Sequence, residues 1–210
     1  MRTGAPKFRR RKDARPAEIV AAAFEVFAEK GFAGAKLDDI ARRAGVSKGA
    51  LYLYFETKEE IFQAVVSQGV APSFDAALAM LARHPGPFPV LVRALAEQVA
   101  GVIATTPVGG VVKMVIGEAR NFPELARVWH DQLVARAIAA LSSAIAAAQA
   151  RGEVRPGDAR MHALTLISPL LVGVIWRETF VPVGAEPFDL PALARQHVET
   201  ALDGMLTEAA

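Results

Sequence analysis

Proline and glycine residues divide most of this 210-residue chain into segments whose lengths suit helices. Breakers such as Pro85-Gly86-Pro87 and Pro156-Gly157 separate stretches in which apolar side chains recur with the period of an amphipathic helix. No segment alternates with the period of two that a half-buried strand requires. The pattern predicts an all-α protein of about nine helices. The long helices are expected at about 88–104, 107–119, 122–150, 158–181 and 188–207.

The first part of the chain contains shorter helical segments. From Pro16 onward, Val20, Phe24 and Phe27 lie on one helical face, and Gly31 is placed to end that helix. Further short helices are expected at about 37–44, 48–54, 57–68 and 72–84.

Two hydroxyl residues are placed to cap these short helices. Ser47 ends the Gly45-Val46-Ser47 turn and precedes the third helix, and Thr57 precedes the fourth. Glu60 lies three residues after Thr57, which is the spacing of a capping box. These signals predict a tight helix–turn–helix followed directly by another capped helix.

The net charge of +2 hides an uneven distribution. Residues 1–58 hold 13 Lys and Arg against 7 Asp and Glu, whereas the remaining residues hold 11 against 15. A basic N-terminal segment on an acidic body indicates a polyanionic partner for the first part of the chain. Residues 1–15 are basic and lack periodicity, and we interpret them as a flexible arm. This arm either enters a minor groove or is a tail loosely attracted to phosphates.

A helix–turn–helix of this size is a DNA-reading device whose second helix enters the major groove. Small residues on that helix would let its backbone approach base edges, and residues after it lie on the phosphate side. The candidate DNA contacts are Lys48, Gly49, Ala50, Tyr52, Tyr54 and Lys58. Packing inside the small domain remains an alternative for the tyrosines, and a solvated surface remains one for the lysines.

The segment from Gly31 to Glu60 carries a specific combination of short motifs. They are Asp39-Ile40-Ala41, Ala44-Gly45-Val46-Ser47-Lys48-Gly49, Leu51-Tyr52-Leu53-Tyr54-Phe55 and Lys58-Glu59-Glu60. This combination resembles the DNA-binding domain of TetR/AcrR-type transcriptional repressors. The resemblance runs from about Pro16 to Val66, roughly a quarter of the chain.

The resemblance implies a helix-turn-helix DNA-binding domain at 16–62, with the motif at about 36–55, and a larger ligand-sensing and dimerisation domain at 63–210. It implies a homodimer on a palindromic operator of double-stranded DNA, with the last two long helices of each subunit forming a four-helix bundle. A small-molecule effector in the larger domain would move the fourth helix and separate the two DNA-reading domains.

The family pattern also assigns DNA contacts residue by residue. The matching positions are Ser47, Lys48, Gly49, Tyr52, Tyr54 and Lys58, with Arg42 and Arg43 near the DNA backbone. Ala35 departs from the pattern, because the family usually has a phosphate-contacting hydroxyl residue there. Lys36 replaces that contact with a charge, which makes binding more dependent on salt.

An effector pocket should be mostly apolar with a few polar groups. The candidates are Phe62, Val66, Phe74, Met114, Glu118, Trp129, His130, Leu133, Trp176, Arg177 and Phe180. For the aromatic residues and methionine the alternative is ordinary core packing. For His130 it is a surface position, and for Glu118 it is a solvated pair with Arg120.

The stretch from Ala163 to Trp176 is apolar nearly all round, so its helix must be buried on most sides. Together with the amphipathic stretch from Leu190 to Met205 it predicts a dimer interface, with burial inside one subunit as the alternative. One short reading helix covers too few base pairs to specify a genomic site, which also favours a dimer. The interface candidates are Leu164, Ile167, Leu171, Ile175, Leu193, His197, Ala201 and Met205.

Several classes of protein are disfavoured. The chain has no cysteine, its four histidines lack metal-ligand spacing, and no nucleophile–base pair or Gly-rich phosphate loop occurs. We therefore expect neither an enzyme nor a bound metal or cofactor. The alternatives are an all-α enzyme with a vestigial DNA-reading domain, a transcriptional activator, or a DNA-binding protein of the same fold that senses no ligand.

The apolar content of 52% raises the question of a membrane. Much of it is alanine, and the apolar run from Ala163 to Trp176 is 14 residues long, short of the roughly 20 of a membrane helix. No apolar segment follows the basic N-terminus as in a signal peptide. The expectation is a cytoplasmic protein with no membrane partner.

Overall fold

A computed structural model describes residues 15–83 and 86–207 of the chain. The predicted arm at 1–15 lies outside these ranges, apart from the backbone of Arg15. Within them the all-α prediction is confirmed, since the sole β pairing is one bridge between Val154 and Leu206. The nine helices of the described ranges are α1 (Arg15–Gly34), α2 (Leu37–Arg43), α3 (Lys48–Tyr52), α4 (Lys58–Arg83), α5 (Phe88–Thr105), α6 (Val108–Glu118), α7 (Pro123–Ala150), α8 (Ala159–Thr179) and α9 (Leu190–Met205).

Helix α4 is continuous where the sequence predicted two helices separated before Pro72. It runs from Lys58 to Arg83 through a π-helical segment at Val65–Val70. An α-helical turn would bring the proline ring against the carbonyl four residues earlier, and the wider π turn relieves that clash. The prediction of a break at Pro72 was therefore wrong. A second π-helical segment, His130–Val134, lies within α7.

The predicted caps are present, with one difference. The Ser47 hydroxyl accepts the N–H of Ala50 at 3.2 Å, and that of Thr57 accepts the N–H of Glu60 at 3.1 Å. The Glu60 carboxylate accepts the N–H of Glu56 at 2.7 Å, one residue before the partner that a capping box requires. The chain therefore enters α4 through a variant of the predicted motif.

Gly31 breaks α1 as predicted. Its φ of 71° lies in the left-handed region that favours glycine, and one further helical turn follows as far as Gly34. The break turns Phe32 into the core of the head, the name used here for α1, α2, α3 and the first two turns of α4. Helix α3 ends at Tyr52, two residues before the predicted end.

The head has a tightly packed aromatic core. Phe27, Phe32 and Phe62 are fully buried, and their ring centroids lie between 5.5 and 6.3 Å apart. Ile40 and Leu51 close this core from α2 and α3 and are also fully buried. Burial of this kind fixes the orientation of the two short helices, which would be marginal by themselves.

The rest of the chain forms the body, which is the remainder of α4 together with α5–α9. Its second apolar core includes Phe88, Ile145, Ala163 and Leu202. Helix α5 packs on α9, α8 lies against both α7 and α9, and α1 of the head packs along α6. Helix α6 is therefore the main structural link between head and body.

Four helical segments in the described chain are long and apolar enough, by length and composition alone, to cross a membrane. They are Lys58–Arg83, Phe88–Thr105, Pro123–Ala150 and Ala159–Val183. The 14-residue run noted in the sequence counts uncharged residues only, whereas these helical segments include a few charged ones. These segments belong to one bundle, whose helices need the same apolar composition, so they are not signs of a membrane.

Candidate nucleic-acid interface and ligand cavities

The start of α3 forms an exposed surface on the head. Ser47, Lys48 and Gly49 are exposed. Apart from its chain neighbours and the backbone of its own helix, no described residue lies within 4 Å of the position that a Cβ on Gly49 would take. Internal packing therefore does not require glycine at this position. Ala50 is half-buried, and its N–H is the one that Ser47 caps.

Lys48 forms an ion pair across the turn. Its ammonium lies 2.9 Å from Asp38 of α2, and this hydrogen bond raises the pKa of Lys48. Both side chains are more than half exposed, so the pair is weak in water and can exchange for a phosphate.

Three exposed side chains continue this surface beyond Lys48. Tyr52 is 46% exposed, Tyr54 is 36% exposed, and Leu53 between them is 80% exposed. Tyr54 also has an interaction partner within the protein. Leu53 was not among the DNA contacts predicted from the sequence. An exposed apolar side chain here could contact a thymine methyl group. We call Ser47, Lys48, Gly49, Tyr52, Leu53 and Tyr54 the reading surface.

The two predicted arginines differ in how firmly they are held. Arg42 is 76% exposed and reaches Asp39 at 3.1 Å, whereas Arg43 bonds both carboxylate oxygens of Glu29, at 2.5 and 2.8 Å. This bond lowers the pKa of Glu29 and raises that of Arg43. Arg43 therefore braces α2 against α1, and Arg42 is the one that projects into solvent.

Lys36 and Lys58 also lie in different surroundings. Lys36 is exposed at the start of α2, beside the buried Ala35. The Lys58 ammonium donates to the carbonyls of Phe32 at 2.6 Å and Ala35 at 3.1 Å, and lies over the Phe32 ring. An ammonium has three N–H groups, so Lys58 holds the head together and has at most one left for a phosphate.

Glu118, predicted as a pocket residue, instead joins body to head. Its two carboxylate oxygens accept the N–H groups of Phe32 and Ala33, each at 2.8 Å. These N–H groups begin the short helical turn after Gly31, where a carboxylate is favoured. A Cβ on Gly31 would collide with the same carboxylate. The end of α6 is thus joined to the backbone of the head by two direct hydrogen bonds.

The body contains two neighbouring apolar cavities. The first measures about 230 Å³ and lies among α5, α6, α7, α8 and α9. Its lining residues are Val92, Leu95, Ala96, Val99, Ile103, Val108, Gly109, Val112, Leu141, Leu166, Ile167, Leu170, Leu171, Val174 and Val198.

The second cavity measures about 260 Å³ and lies closer to the middle of α4. Its lining residues are Val70, Ser73, Phe74, Ala77, Gln98, Val99, Val102, Ile103, Val108, Trp129, Leu133, Val134, Ala137 and Ile167. Neither lining contains a charged side chain. Val99, Ile103, Val108 and Ile167 line both cavities and form the wall between them.

The structure brings three of the predicted pocket residues together. Phe74, Trp129 and Leu133 line the second cavity. Phe62, Val66 and Met114 lie in the core beneath α1, because that side of α4 and α6 faces the head.

The other predicted pocket residues also lie outside the described cavities. His130 is exposed and bonds Asp131 at 2.7 Å. Trp176 donates to the carbonyl of Glu186 and packs against Phe180, which is 44% exposed. Arg177 donates to the carbonyl of Ile103 at 2.9 Å and pairs with Glu178, so its charge is satisfied within the protein.

The predicted interface residues divide into two groups. Leu164 and Leu171 are exposed on α8, and Ile175 and Leu193 are half-buried. Met161 and Val172, which the prediction missed, extend this exposed apolar face. Met161 is 53% exposed and Val172 is 61% exposed.

The second group faces into the subunit. Ile167 lines both cavities, Ala201 and Met205 are buried in the body core, and His197 lies 3.1 Å from the carbonyl of Thr165. His197, Ala201 and Met205 face inward because α9 presents one side to α5 and α8.

A tight three-helix head that exposes the second helix of a helix–turn–helix, set on a helical body with apolar cavities, defines a helix-turn-helix DNA-binding regulator. Residues 19–65 match the family model of bacterial regulatory proteins of the TetR family. Residues 92–189 match that of the tetracyclin repressor-like C-terminal domain. The chain belongs to the TetR family of transcriptional regulators.

Curated relatives match the head. The transcriptional activator FasR of Mycolicibacterium smegmatis is 44% identical over 59 residues, which are 28% of this chain and 27% of that protein. The transcriptional repressor BepR of Brucella suis is 39% identical over 74 residues, 35% of each protein. The match therefore spans only about a third of these relatives' length.

The fold similarity extends over nearly the whole chain. The transcriptional regulator FadR of Bacillus subtilis, solved in complex with stearoyl-CoA, superposes with a TM-score of 0.74 at 21% identity. The superposition covers 90% of this chain and 98% of that one. At this level of identity the similarity establishes the fold alone.

Proposed function

We propose that this protein is a ligand-responsive transcriptional repressor, a cytoplasmic homodimer that binds a palindromic operator and is released by a small apolar effector. The observation that carries the proposal is the reading surface, exposed at the start of α3 on a head whose core is fully packed. We place the DNA-binding domain at 16–62 and the ligand-sensing and dimerisation domain at 63–210.

The reading surface suits a major groove. Gly49 allows close approach of the helix backbone, Lys48 can exchange Asp38 for a phosphate, and Tyr52 projects beside them. Lys36 and Arg42 add exposed positive charge on α2. The basic residues of 1–15 would add to the same electrostatic attraction.

Dimerisation is supported by the exposed apolar face of α8. Met161, Leu164, Leu171 and Val172 leave large apolar side chains in water, which a monomeric soluble protein rarely does on one continuous helix face. A second subunit against α8 and α9 would cover them. Two reading surfaces could then occupy half-sites about 34–36 Å apart, one helical turn of DNA.

Two helices connect the cavities with the head. Helix α6 starts at the cavity wall with Val108 and ends at Glu118, which bonds the head backbone. Helix α4 starts under Phe32 with Lys58 and lines the second cavity with Phe74. A ligand that displaces either helix would move the head. The FadR structure, solved with stearoyl-CoA, supports an apolar effector only through the acyl chain of that ligand, because its CoA part is charged.

DNA-binding is tested by footprinting the promoter of the protein's own gene and neighbouring promoters at physiological salt. We expect a protected palindrome with the wild-type protein and at least a tenfold loss of affinity with Tyr52→Ala, about the value of one good base contact. Circular dichroism and the dimer mass should be unchanged. Absence of protection on every promoter, or full affinity of Tyr52→Ala, would contradict the proposed role.

Activation is the second candidate function, because the head of FasR, an activator, is as similar as that of the repressor BepR. In vitro transcription from the footprinted promoter distinguishes the two. The proposal predicts fewer transcripts when the protein is added. An increase would assign the protein to the activators.

A further inference from the structure

Each of the two cavities is small for a ligand site. They measure about 230 and 260 Å³, whereas small-molecule sites typically span about 300–1,000 Å³. Taken together, the two volumes fall inside that range. The two linings share Val99, Ile103, Val108 and Ile167, so these four residues lie between the cavities.

We propose that the two cavities are the two ends of one chamber and that the effector is an elongated, uncharged molecule that occupies both. A hydrocarbon chain fills the first cavity, and a single hydrogen-bonding group lies in the second. This inference rests on the proposed function, because it names the ligand class of the same sensing domain.

The linings exclude a buried charge on the ligand. No Asp, Glu, Lys, Arg or His contributes to either lining. Two cations lie near the cavities, and both have partners within the protein. Arg177 donates to the carbonyl of Ile103 and pairs with Glu178. Arg136, which lies over the ring of Phe74, pairs with Asp75. Both cavities are partly open to solvent, so the penalty applies to a charge buried against these linings: it would lose its water without gaining a partner, which is strongly unfavourable.

The polar residues give the ligand a direction. The first cavity is lined entirely by aliphatic residues and one glycine, whereas the second also contains Ser73 and Gln98. The Gln98 carboxamide makes no hydrogen bond to any other described residue. A hydroxyl, ester or amide group of the ligand would therefore find its partner in the second cavity.

The wall can open by side-chain rotation. Val99, Ile103 and Ile167 are half-buried rather than locked in the core. Rotamer changes of such residues do not require the backbone to move. A chain that passes between them also contacts Val108, the first residue of α6, so filling both cavities acts on the helix that ends at Glu118.

The probe is a series of primary alcohols from hexanol to hexadecanol, titrated into the full-length protein. The chain has two tryptophans, so Trp176→Phe leaves Trp129, in the second cavity, as the sole tryptophan reporter. We expect affinity to rise about fourfold per methylene along the series, the value for transfer of a methylene out of water. Palmitate, with the same chain and a carboxylate, should bind at least about tenfold more weakly than hexadecanol.

Two filling variants test whether the cavities act as one. Val112→Phe fills the first cavity, Ala137→Phe fills the second, and Ala139→Phe places the same ring on the exposed side of the helix that carries Ala137. Hexadecanol affinity should fall at least about tenfold in both filling variants and stay unchanged in the control. The affinity for hexanol, which is short enough for one cavity, should fall in only one of the two filling variants. Leu95→Phe and Val134→Phe are replacements should either filling variant fail to fold.

Three results would overturn the inference. They are loss of hexadecanol binding in one filling variant but not the other, equal affinity for palmitate and hexadecanol, and absence of binding by any alcohol. Each leaves the footprint of the ligand-free protein intact. A missing footprint would instead contradict the proposed function, so the two failures are distinguishable.

Discussion

Head and body use the same apolar residue types but pack them differently. In the head, three fully buried phenylalanine rings lie within 6.3 Å of one another around α1, and both cavities lie outside it, in the body. In the body, the packing of α4–α9 leaves two apolar cavities. A surface that reads base edges needs fixed helices, whereas a chamber that accepts a flexible chain needs space and movable side chains.

Polar groups also differ between the two regions. The head is crossed by ion pairs, such as Arg43 with Glu29 and Lys48 with Asp38. The cavity linings of the body contain no charged residue. Glu118 is where these two regions meet, since its carboxylate belongs to the body and its hydrogen-bond donors to the head.

The largest expected effect is that of removing the central ring of the head. Phe32→Ala should lower the free energy of unfolding by roughly 3–5 kcal/mol, because Phe32 packs on Phe27, Phe62 and Phe122 and its loss leaves a cavity that rigid neighbours cannot fill. Urea unfolding of the wild-type protein and of Phe32→Ala measures this loss of free energy. Val90→Ala, at a half-exposed position, is the control and should change stability by less than about 0.5 kcal/mol. Similar effects of both variants would contradict the tightly packed head.

The junction should be the next most sensitive point. Glu118→Ala removes the acceptor of two backbone N–H groups and should cost about 1.5–3 kcal/mol, with weaker DNA binding because the head is less firmly positioned. Glu124→Ala removes an exposed carboxylate that pairs with Arg127, and should cost less than about 0.5 kcal/mol. If the two variants unfold at the same urea concentration and bind DNA equally, Glu118 does not couple body to head.

Adding volume should distinguish the two regions directly. Ala23→Leu, in the fully buried head core, should destabilise by about 1–3 kcal/mol, since the extra carbons have no space. Ala137→Leu enters the second cavity and should change stability by less than about 0.5 kcal/mol. Thermal and urea unfolding of this matched pair test the comparison. A larger loss of stability in Ala137→Leu than in Ala23→Leu would contradict the difference in packing between head and body.

The smallest effect on stability is expected at Gly49. Gly49→Ala should stabilise the head by about 0.5–1 kcal/mol, because alanine favours a helix and no described residue is near its Cβ. The same methyl group projects from the reading surface and should weaken operator binding. Gly117→Ala, which has the same open surroundings near the end of α6, is the control for stability without an effect on DNA. Unchanged operator affinity of Gly49→Ala would remove Gly49 from the reading surface.

Much of the fold could be predicted from local signals. The break at Gly31 and the caps at Ser47 and Thr57 follow from backbone preferences and hydrogen bonds within a few residues. The misplaced break before Pro72 shows the limit of this approach. Whether a proline interrupts a helix depends on the hydrogen-bond register just before it, which a π-helical turn changes without any sign in the residue pattern.

The candidate site was only partly predictable. The reading surface follows from short-range spacing, and Leu53 could have been found there because it lies between the two tyrosines. Of the pocket candidates, Phe74, Trp129 and Leu133 were placed in a cavity, whereas Phe62 was not. Periodicity identifies the apolar face of a helix but does not indicate whether that face meets another core residue or a cavity.

The sequence by itself determined that the chain is helical, where its short helices begin, and which residues carry the motif of its family. These properties depend on neighbours three or four positions apart. Only the tertiary structure decided that Glu118 accepts hydrogen bonds from a backbone 85 and 86 residues away, that Lys58 is held by two carbonyls, and that the same four residues line both apolar cavities. Contacts of this kind depend on how whole helices pack, and helix packing is set by the sum of many weak apolar contacts rather than by any local pattern.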